Sequence, residues 1–211
     1  MLPTLLPIFP LPSVVLFPNV FLPLHIFEPR YRQMIGDALT GDRMIGMVLL
    51  QPGYEPHYEA TPPVYEVGCA GLMTHAEKLA DGRYNIVLRG LERFRILGEE
   101  SPTTSVLYRR ALVAPLDEPE TTPGPMLKAA RERLETVLAP FFHGTLAERG
   151  LPRSMPDEEL INALAQYLEL EPIEKQALLE REGPLARCRA LVELLEMKAL
   201  TAKGPHADRV H

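Results

Sequence analysis

The chain has 211 residues, of which 46% are hydrophobic and 24% charged, and its formal net charge is −6 at pH 7. This apolar content suffices for one domain, or two small ones, with a buried core, and it argues against intrinsic disorder despite 22 prolines. The acidic balance argues against a protein whose main partner is nucleic acid.

The first 28 residues are apolar and interrupted by prolines. Pro7, Pro10, Pro18 and Pro23 exclude one continuous helix, because proline lacks an amide donor and clashes with the preceding turn. The apolar residues between them are too numerous to lie in solvent. The pattern therefore predicts a short edge strand, a buried turn and a second extended segment, with prolines at strand starts, bulges or edges.

A helix is predicted directly after this opening. Pro29 suits the first helical position, and Gly41 is typical of a helix end. The residues expected to share its buried face are Tyr31, Met34, Ile35, Ala38 and Leu39.

The next eighty residues show the short alternating pattern of strands. Residues 44–50, 64–76, 83–89, 93–96 and 106–113 are each predicted to be extended. We expect a bulge at Gly68 or Gly71, a tight hairpin at Asp81-Gly82, and a turn of the chain at residues 90–92. Several short strands with one helix indicate a small, partly closed barrel.

Beyond an acidic, proline-rich linker at residues 116–125, the apolar residues recur at helical spacing. Ser154 and Asp157 have the spacing of a capping box, and Pro172 and Pro184 each suit a helix start. The second half is therefore predicted to be a helical bundle. Its apolar stripes comprise Leu127, Ala130, Leu134, Val137, Leu138, then Leu160, Ile161, Leu164, Ala165, Leu168, then Leu185, Cys188, Leu191, Val192 and Leu195.

Two stretches resemble the amino-terminal, substrate-binding domain of Lon-type ATP-dependent proteases. The first is PLPSVVLFPNVFLPLHIFEPRYRQMI, and the second is YEVGCAGLMTHAEKLADGRYNIVLRGLERFRIL. The resemblance extends over about residues 5 to 200. It implies an α+β fold, with a β-rich, PUA-like pseudo-barrel carrying one helix at residues 1–115, an α-helical bundle at 116–204, and a tail at 205–211.

Motifs for catalysis are absent from the sequence. Residues 41–46 have the glycine spacing of a phosphate-binding loop, but Met47 and Val48 stand where lysine and serine or threonine would be needed. No Gly-x-Ser-x-Gly elbow is present, and the six histidines and two cysteines lack metal-ligand spacing. We therefore expect no cofactor, no metal and no enzyme activity, and we expect Cys69 and Cys188 to be buried thiols rather than a disulfide.

The resemblance implies a non-catalytic module that binds unfolded or apolar segments of other proteins. We expect a cytoplasmic, free-standing form of the domain without membrane segments, acting as an adaptor or accessory in protein quality control, with cooperation with a separate protease as one option. An RNA-binding PUA-like domain and an unrecognised hydrolase remain alternatives. The predicted peptide-binding residues are Phe17, Phe21, Leu24, Phe27, Tyr54 and Tyr58, and the competing interpretation is that these rings cover the open end of the barrel.

Overall fold

The structure is a computed structural model that describes residues 1–54, 61–101, 103–118, 124–139 and 155–202. It divides into two compact units. The β unit comprises Met1–Asp117 and Gln166–Glu180, and the helical unit comprises Glu118–Ala165 and Arg181–His211. The elements in chain order are β1 (Leu5–Leu11), β2 (Phe21–Ile26), α1 (Pro29–Thr40), β3 (Met44–Leu49), β4 (Val67–Lys78), β5 (Tyr84–Glu99), β6 (Arg109–Pro115), α2 (Gly124–Leu138), α3 (Asp157–Tyr167), α4 (Pro172–Leu179) and α5 (Gly183–Ala202).

The β unit is built on a six-stranded mixed sheet. The strand order is β2-β5-β4-β3-β1-β6, and β5 also pairs with β6. The β1–β3 pair is parallel and the remaining pairs are antiparallel. The predicted α+β class is confirmed, and the sheet curls without forming a closed barrel. One apolar cluster lies between β1, β3, β4, β5 and β6, and its buried members are Leu6, Ile8, Val48, Ala70, Phe94, Ala111 and Val113.

Strand β1 was expected at an edge, but it is paired on both sides. Residues Leu5–Ile8 pair with β6, and Ile8–Leu11 pair with β3. The two ladders overlap only at Ile8. The main-chain groups of Pro7 point toward β3, at a position before the β1–β3 ladder begins. The main-chain groups of Pro10 point toward β6, at a position beyond the end of the β1–β6 ladder. Each proline thus sits where no amide donor is required, which explains how a central strand tolerates both.

Residues 90–92 were expected to turn the chain, but β5 continues through them as one strand of 16 residues. A Cβ atom added to Gly90 would lie 2.0 Å from the carbonyl oxygen of Phe17. The main chains of Gly90 and Asn19 are joined by an amide-to-carbonyl hydrogen bond of 2.9 Å. Gly90 therefore permits the buried Phe17–Asn19 turn to pack against β5, and it does not end the strand.

The predicted hairpin at Asp81-Gly82 joins β4 to β5. A two-residue Asp-Gly turn requires positive φ at both residues, and this hairpin does not have that form. Gly82 has φ of 81°, whereas Asp81 is not among the residues of positive φ. The Gly82 amide donates to the Leu79 carbonyl at 2.9 Å, and the Leu79 amide donates to the Arg83 carbonyl at 2.8 Å. This pattern is a three-residue loop with one left-handed glycine, which requires positive φ at a single position.

Helix α1 begins and ends where the sequence predicts. Pro29 occupies its first turn and Gly41 follows its last residue. Its buried residues are Tyr31, Met34, Ile35 and Ala38. A register shift also lies between Cys69 and Gly71 in β4, at one of the two expected bulge positions.

The helical unit contains α2, α5 and most of α3. Its buried Arg187 donates to Asn162 Oδ1 and lies 3.3 Å from a carboxylate oxygen of Glu118. The sequence placed residues 116–204 in one bundle, whereas the structure groups Gln166–Glu180, including α4, with the β unit. Helical periodicity does not encode this grouping, because an apolar helix face packs equally well on a sheet or a helix. Ser154 and the tail at 205–211 lie outside the described residues.

Candidate functional site

Strand β2 lies at the edge of the sheet and carries exposed aromatic rings on one face. Burial alternates along it, with Phe21, Pro23 and His25 exposed and Ile26 buried. Phe27 follows directly and continues the exposed series. Phe21 is 51% exposed and Phe27 61% exposed. At about 3.3 Å per residue, their positions lie about 20 Å apart on the same face. We call Phe21, Pro23, His25 and Phe27 the aromatic strip.

A polar network fixes His25 within the aromatic strip. Nδ1 of His25 lies 2.8 Å from Asn85 Oδ1, and the Arg83 guanidinium lies 3.3 Å from His25 Nε2. A guanidinium can only donate, so Nε2 accepts and the ring proton is assigned to Nδ1, which donates to Asn85. The His25 ring also stacks on Phe27 with centroids 6.4 Å apart. Phe27 is therefore exposed but supported on one side.

The other predicted binding residues lie elsewhere. Phe17 is fully buried and belongs to the turn that packs against Gly90, so its ring does not reach the surface. Leu24 is half-buried and alternates to the face opposite Phe21 and Phe27. Tyr54 is 44% exposed in the loop after β3, and Tyr58 lies outside the described residues. Of the five that the structure describes, Phe21 and Phe27 share one exposed face of the same edge segment.

Two residues that the sequence analysis did not single out hold the aromatic strip in place. Gln166 Oε1 accepts a hydrogen bond from the Phe17 amide at 3.0 Å, and its Nε2 donates to the Phe21 carbonyl at 3.0 Å. Tyr167 Oη donates to the same Phe21 oxygen, while its side chain remains 60% exposed. Tyr167 falls outside the apolar stripe of α3, so the sequence pattern could have predicted that it is exposed. No pattern in the sequence near Tyr167 could have predicted its contact with Phe21.

The outer edge of β2 is poorly suited to receive another strand. Val20, Leu22, Leu24 and Ile26 direct their main-chain groups toward β5, as shown by the Gly90 amide donating to the Val20 carbonyl. The main-chain groups that point away from the sheet are therefore those of Phe21, Pro23 and His25. Pro23 has no amide donor, and the Phe21 carbonyl is already bonded to Gln166 and Tyr167. The strip consequently offers side chains, rather than main-chain groups, to a partner.

A cleft of about 580 Å³ lies on the β unit, where β1 and β6 separate. It is lined by Pro10 of β1, by Arg30 and Tyr31 of α1, by Thr61, and by the segment between β5 and β6. Within that segment, Tyr108 Oη donates to Asp37 at 3.0 Å. Burial, followed by the contact with Asp37, raises the pKa of Tyr108 to about 12, so it remains a hydrogen-bond donor at neutral pH.

Four arginines lie on β5 or just before it, at positions 83, 89, 93 and 95, and they do not form a basic stripe. Arg93 is buried and donates to the Leu179 carbonyl at 3.1 Å. Arg95 pairs with Glu66 at 3.2 Å, Arg83 pairs with Asp81 at 2.6 Å, and Arg89 donates to Asn19. These contacts leave no run of unneutralised charge along β5 of the kind that follows a phosphate backbone.

The described part of the chain contains neither a metal-binding cluster nor a membrane-spanning helix. Within it, no group of three His, Cys, Asp or Glu side chains is arranged to hold a metal ion, and no helix is long and apolar enough to cross a membrane. Cys69 and Cys188 are buried free thiols, as predicted. Burial raises the pKa of Cys188 to about 11.

The fold and these surfaces define an α+β domain whose exposed features are an aromatic strand face and an amphipathic cleft. Comparison with known proteins identifies the family. The sequence model of one protein family, the ATP-dependent protease La (LON) substrate-binding domain, matches residues 5–197. The chain therefore belongs to this family.

Individual relatives agree with the family match. The chain is 30% identical to a Lon protease of Trichlorobacter lovleyi over 99% of its length, and 29% identical to Lon protease 2 of Myxococcus xanthus over 93%. It covers 26% and 24% of those proteins, so it spans about a quarter of the relatives that it matches. The matched region corresponds to the substrate-binding domain and not to a catalytic domain.

Two solved structures share the fold. A Lon N-terminal domain protein from Xanthomonas campestris has a TM-score of 0.58 and 22% identity, and the match covers 96% of this chain and 99% of that chain. The N-terminal domain of a Mycobacterium avium complex Lon protease has a TM-score of 0.64 and 18% identity, covering 91% and 98%. The resemblance inferred from the sequence is thereby confirmed.

Proposed function

We propose that this chain is a non-catalytic module that binds unfolded or apolar segments of other proteins through the aromatic strip of its β unit. The observation that carries the proposal is that Phe21 and Phe27 are 51% and 61% exposed on one face of an edge strand. Exposed aromatic side chains arranged in one line are typical of an interaction surface rather than of a stable core. Family membership supports protein substrates as the class of partner.

Recognition by side chains alone suits partners of varied sequence. Pro23 and the bonded Phe21 carbonyl limit main-chain pairing, so a partner would gain mainly apolar contact with the rings. A flexible segment also loses conformational freedom when it docks. We therefore expect dissociation constants in the micromolar range or weaker, with little dependence on register along the bound segment.

A titration with fluorescein-labelled, reduced and carboxymethylated α-lactalbumin tests this function. The wild-type chain should show saturable binding, and the double variant Phe21→Ser/Phe27→Ser should bind at least about ten-fold more weakly, a loss of about 1.4 kcal/mol. Leu97→Ser is the matched control, because Leu97 is 66% exposed on β5 of the same unit. Absence of saturable binding by the wild type at high micromolar concentration contradicts the function. Equal binding by all three proteins places the site elsewhere.

The same titration tests the predicted binding residues Tyr54 and Tyr58. Tyr54→Ser/Tyr58→Ser should bind as the wild type does if the strip is the contact surface. A loss confined to this pair would transfer the site to the loop after β3. Binding of a labelled single-stranded RNA that weakens steeply with added salt would instead favour the alternative of an RNA-binding domain.

We also propose that the chain has no ATPase or peptidase activity of its own and acts in the cytoplasm as an adaptor or accessory of protein quality control. The missing phosphate-loop lysine supports the first part, and the two free thiols fit a reducing compartment. ATP hydrolysis by the purified chain that disappears in Gly46→Ala would overturn the first part. The adaptor role predicts that adding the chain to a separate Lon protease changes the degradation rate of the labelled protein.

A further inference from the structure

We propose that the cleft between β1 and β6 is a second binding site, which takes a short uncharged peptide segment with an aliphatic or aromatic side chain. This inference deepens the proposed function, because it assigns a separate site and a narrower ligand class to the same unit. The cleft volume of about 580 Å³ is in the usual range for sites that enclose a small ligand.

The cleft exists because two paired strands separate. Ile8 is the last β1 residue paired with β6, where it faces Arg109. Beyond this pair, β1 continues through Pro10 to Leu11 along β3 only. On the opposite side, the chain before Arg109 turns away along α1 instead of extending the ladder. The opening is therefore a gap within the sheet, bounded by secondary structure on three sides.

The wall opposite β1 is held rigidly although it has no regular structure. Gln33 Nε2 donates to the Ser105 carbonyl at 2.8 Å, and Gln33 Oε1 accepts from the Leu107 amide at 2.8 Å. The Val106 amide donates to Thr103 Oγ1 at 3.2 Å. These bonds anchor the main chain from Ser105 to the amide of Leu107, whose side chain remains 57% exposed at the cleft. An anchored, exposed aliphatic side chain is suited to contact a ligand at little cost in entropy.

The charges at the cleft are already neutralised by one another. Arg30 pairs with Glu28 at 2.9 Å, Arg109 pairs with Glu99, and Arg110 pairs with Glu100. Three arginines and three glutamates therefore cancel. A charged ligand would meet no net opposite charge to offset its loss of hydration, whereas an uncharged ligand loses less hydration and leaves all three pairs intact. The charge pattern thus selects a neutral occupant.

The edge of β1 supplies a main-chain acceptor. The Leu50 amide donates to the Leu11 carbonyl at 3.0 Å, so Leu11 directs its main-chain groups toward β3. Pro10, one residue earlier, directs its carbonyl to the opposite side, which is the cleft. A peptide amide is the donor that this carbonyl suits, and an apolar side chain beside that amide would meet Leu107 and Val106.

Three capped hexapeptides labelled with fluorescein test the site by anisotropy. They are Gly-Ser-Leu-Phe-Ser-Gly and the versions with both serines replaced by aspartate or by lysine. The neutral peptide should bind at least about five-fold more tightly than either charged one, about 1 kcal/mol. Amide chemical-shift changes in two-dimensional NMR spectra should appear at Leu107 and Tyr31. Equal binding of all three peptides, or shifts confined to β2, would overturn the proposal.

Variants separate this site from the aromatic strip. Leu107→Ser should weaken binding of the neutral peptide at least about five-fold, while Leu97→Ser, at an exposed position of β5, leaves it unchanged. Glu100→Lys, which makes the cleft net positive, should make the aspartate peptide the tightest ligand. If Leu107→Ser and Glu100→Lys both bind as the wild type does, the cleft is not the site. Loss of labelled α-lactalbumin binding in Phe21→Ser/Phe27→Ser would then still support the proposed function.

Discussion

The β unit and the helical unit are each stabilised internally by buried polar side chains, but of different kinds. In the β unit, the side chains bond to main-chain carbonyls, as Gln176 does to Val67 at 3.0 Å and Arg93 does to Leu179 at 3.1 Å. In the helical unit, arginines also pair with carboxylates, as the buried Arg187 does with Glu118 at 3.3 Å and the partly buried Arg131 does with Asp157 at 2.6 Å.

The difference has consequences for how each unit responds to change. The carbonyl acceptors of the β unit do not titrate, and this unit also contains a close approach of two main chains, at Gly90 and Phe17. Carboxylate pairs respond to pH, and their strength depends on the protonation of each partner. The β unit should therefore be sensitive to added volume at its glycines, and the helical unit to the removal or titration of charge.

The largest effect is expected from Gly90→Ala. The new Cβ would lie 2.0 Å from the Phe17 carbonyl oxygen, which cannot move without displacing the buried turn. The loss of unfolding free energy should exceed about 3 kcal/mol, above the typical cost of overpacking. Gly98→Ala, in the same strand with no atom within 4 Å of the added Cβ, should change it by less than about 0.5 kcal/mol. Urea titration measures both. Similar midpoints for the two variants would refute the role of close main-chain approach.

Arg187→Met tests the charged interior of the helical unit. The substitution preserves apolar volume but removes the hydrogen bond to Asn162 and the ion pair with Glu118. We expect a loss of about 1.5–3 kcal/mol, the range for hydrogen bonds to charged groups. Arg189→Met is the control, because Arg189 is exposed on the same helix. Equal melting temperatures for the two variants would show that the buried cluster does not stabilise the unit.

Gly82→Ala should produce a smaller loss in the β unit. Gly82 has φ of 81°, a conformation that costs a residue with a Cβ about 1–2 kcal/mol. The terminal nitrogen of Arg32 would lie 2.3 Å from the new atom, but this flexible side chain can move aside. Calorimetric melting against the wild type measures the effect, and an unchanged melting temperature would argue against the left-handed turn.

The smallest expected effect is a pH-dependent gain from Glu158→Gln. Burial, followed by repulsion from Glu118, raises the pKa of Glu158 above its usual 4.5, although Arg187 opposes the shift. The folded state thus holds this proton more tightly than the unfolded chain. The contribution of Glu158 to stability is therefore fully present below its unfolded pKa and is lost as pH rises through its folded pKa.

Glu158→Gln should therefore melt at a higher temperature than the wild type at about pH 7 and at the same temperature at about pH 4. Glu132→Gln, at an exposed position on α2, is the control and should show no such difference. A gain of the same size at both pH values would show that titration of Glu158 is not its cause.

Much of the fold was determined locally and could be predicted from the sequence. Pro29 and Gly41 bracket α1 because proline suits a helix start and glycine a helix end. Alternation along residues 84–88 predicted the buried face of β5, because side chains in a strand point alternately to opposite sides. The two Lon-like motifs predicted the family, which the family match confirmed.

Only the tertiary structure decided which apolar residues of the opening became surface. Phe17 and Phe21 look alike in the sequence, yet Phe17 is fully buried and Phe21 is 51% exposed. The difference arises from Gly90, which admits the Phe17 turn, and from Gln166, which bonds to both residues from 145 or more positions away. The cleft beside Leu107 likewise depends on where two ladders end. Such contacts join distant parts of the chain, and no local pattern of residues encodes them.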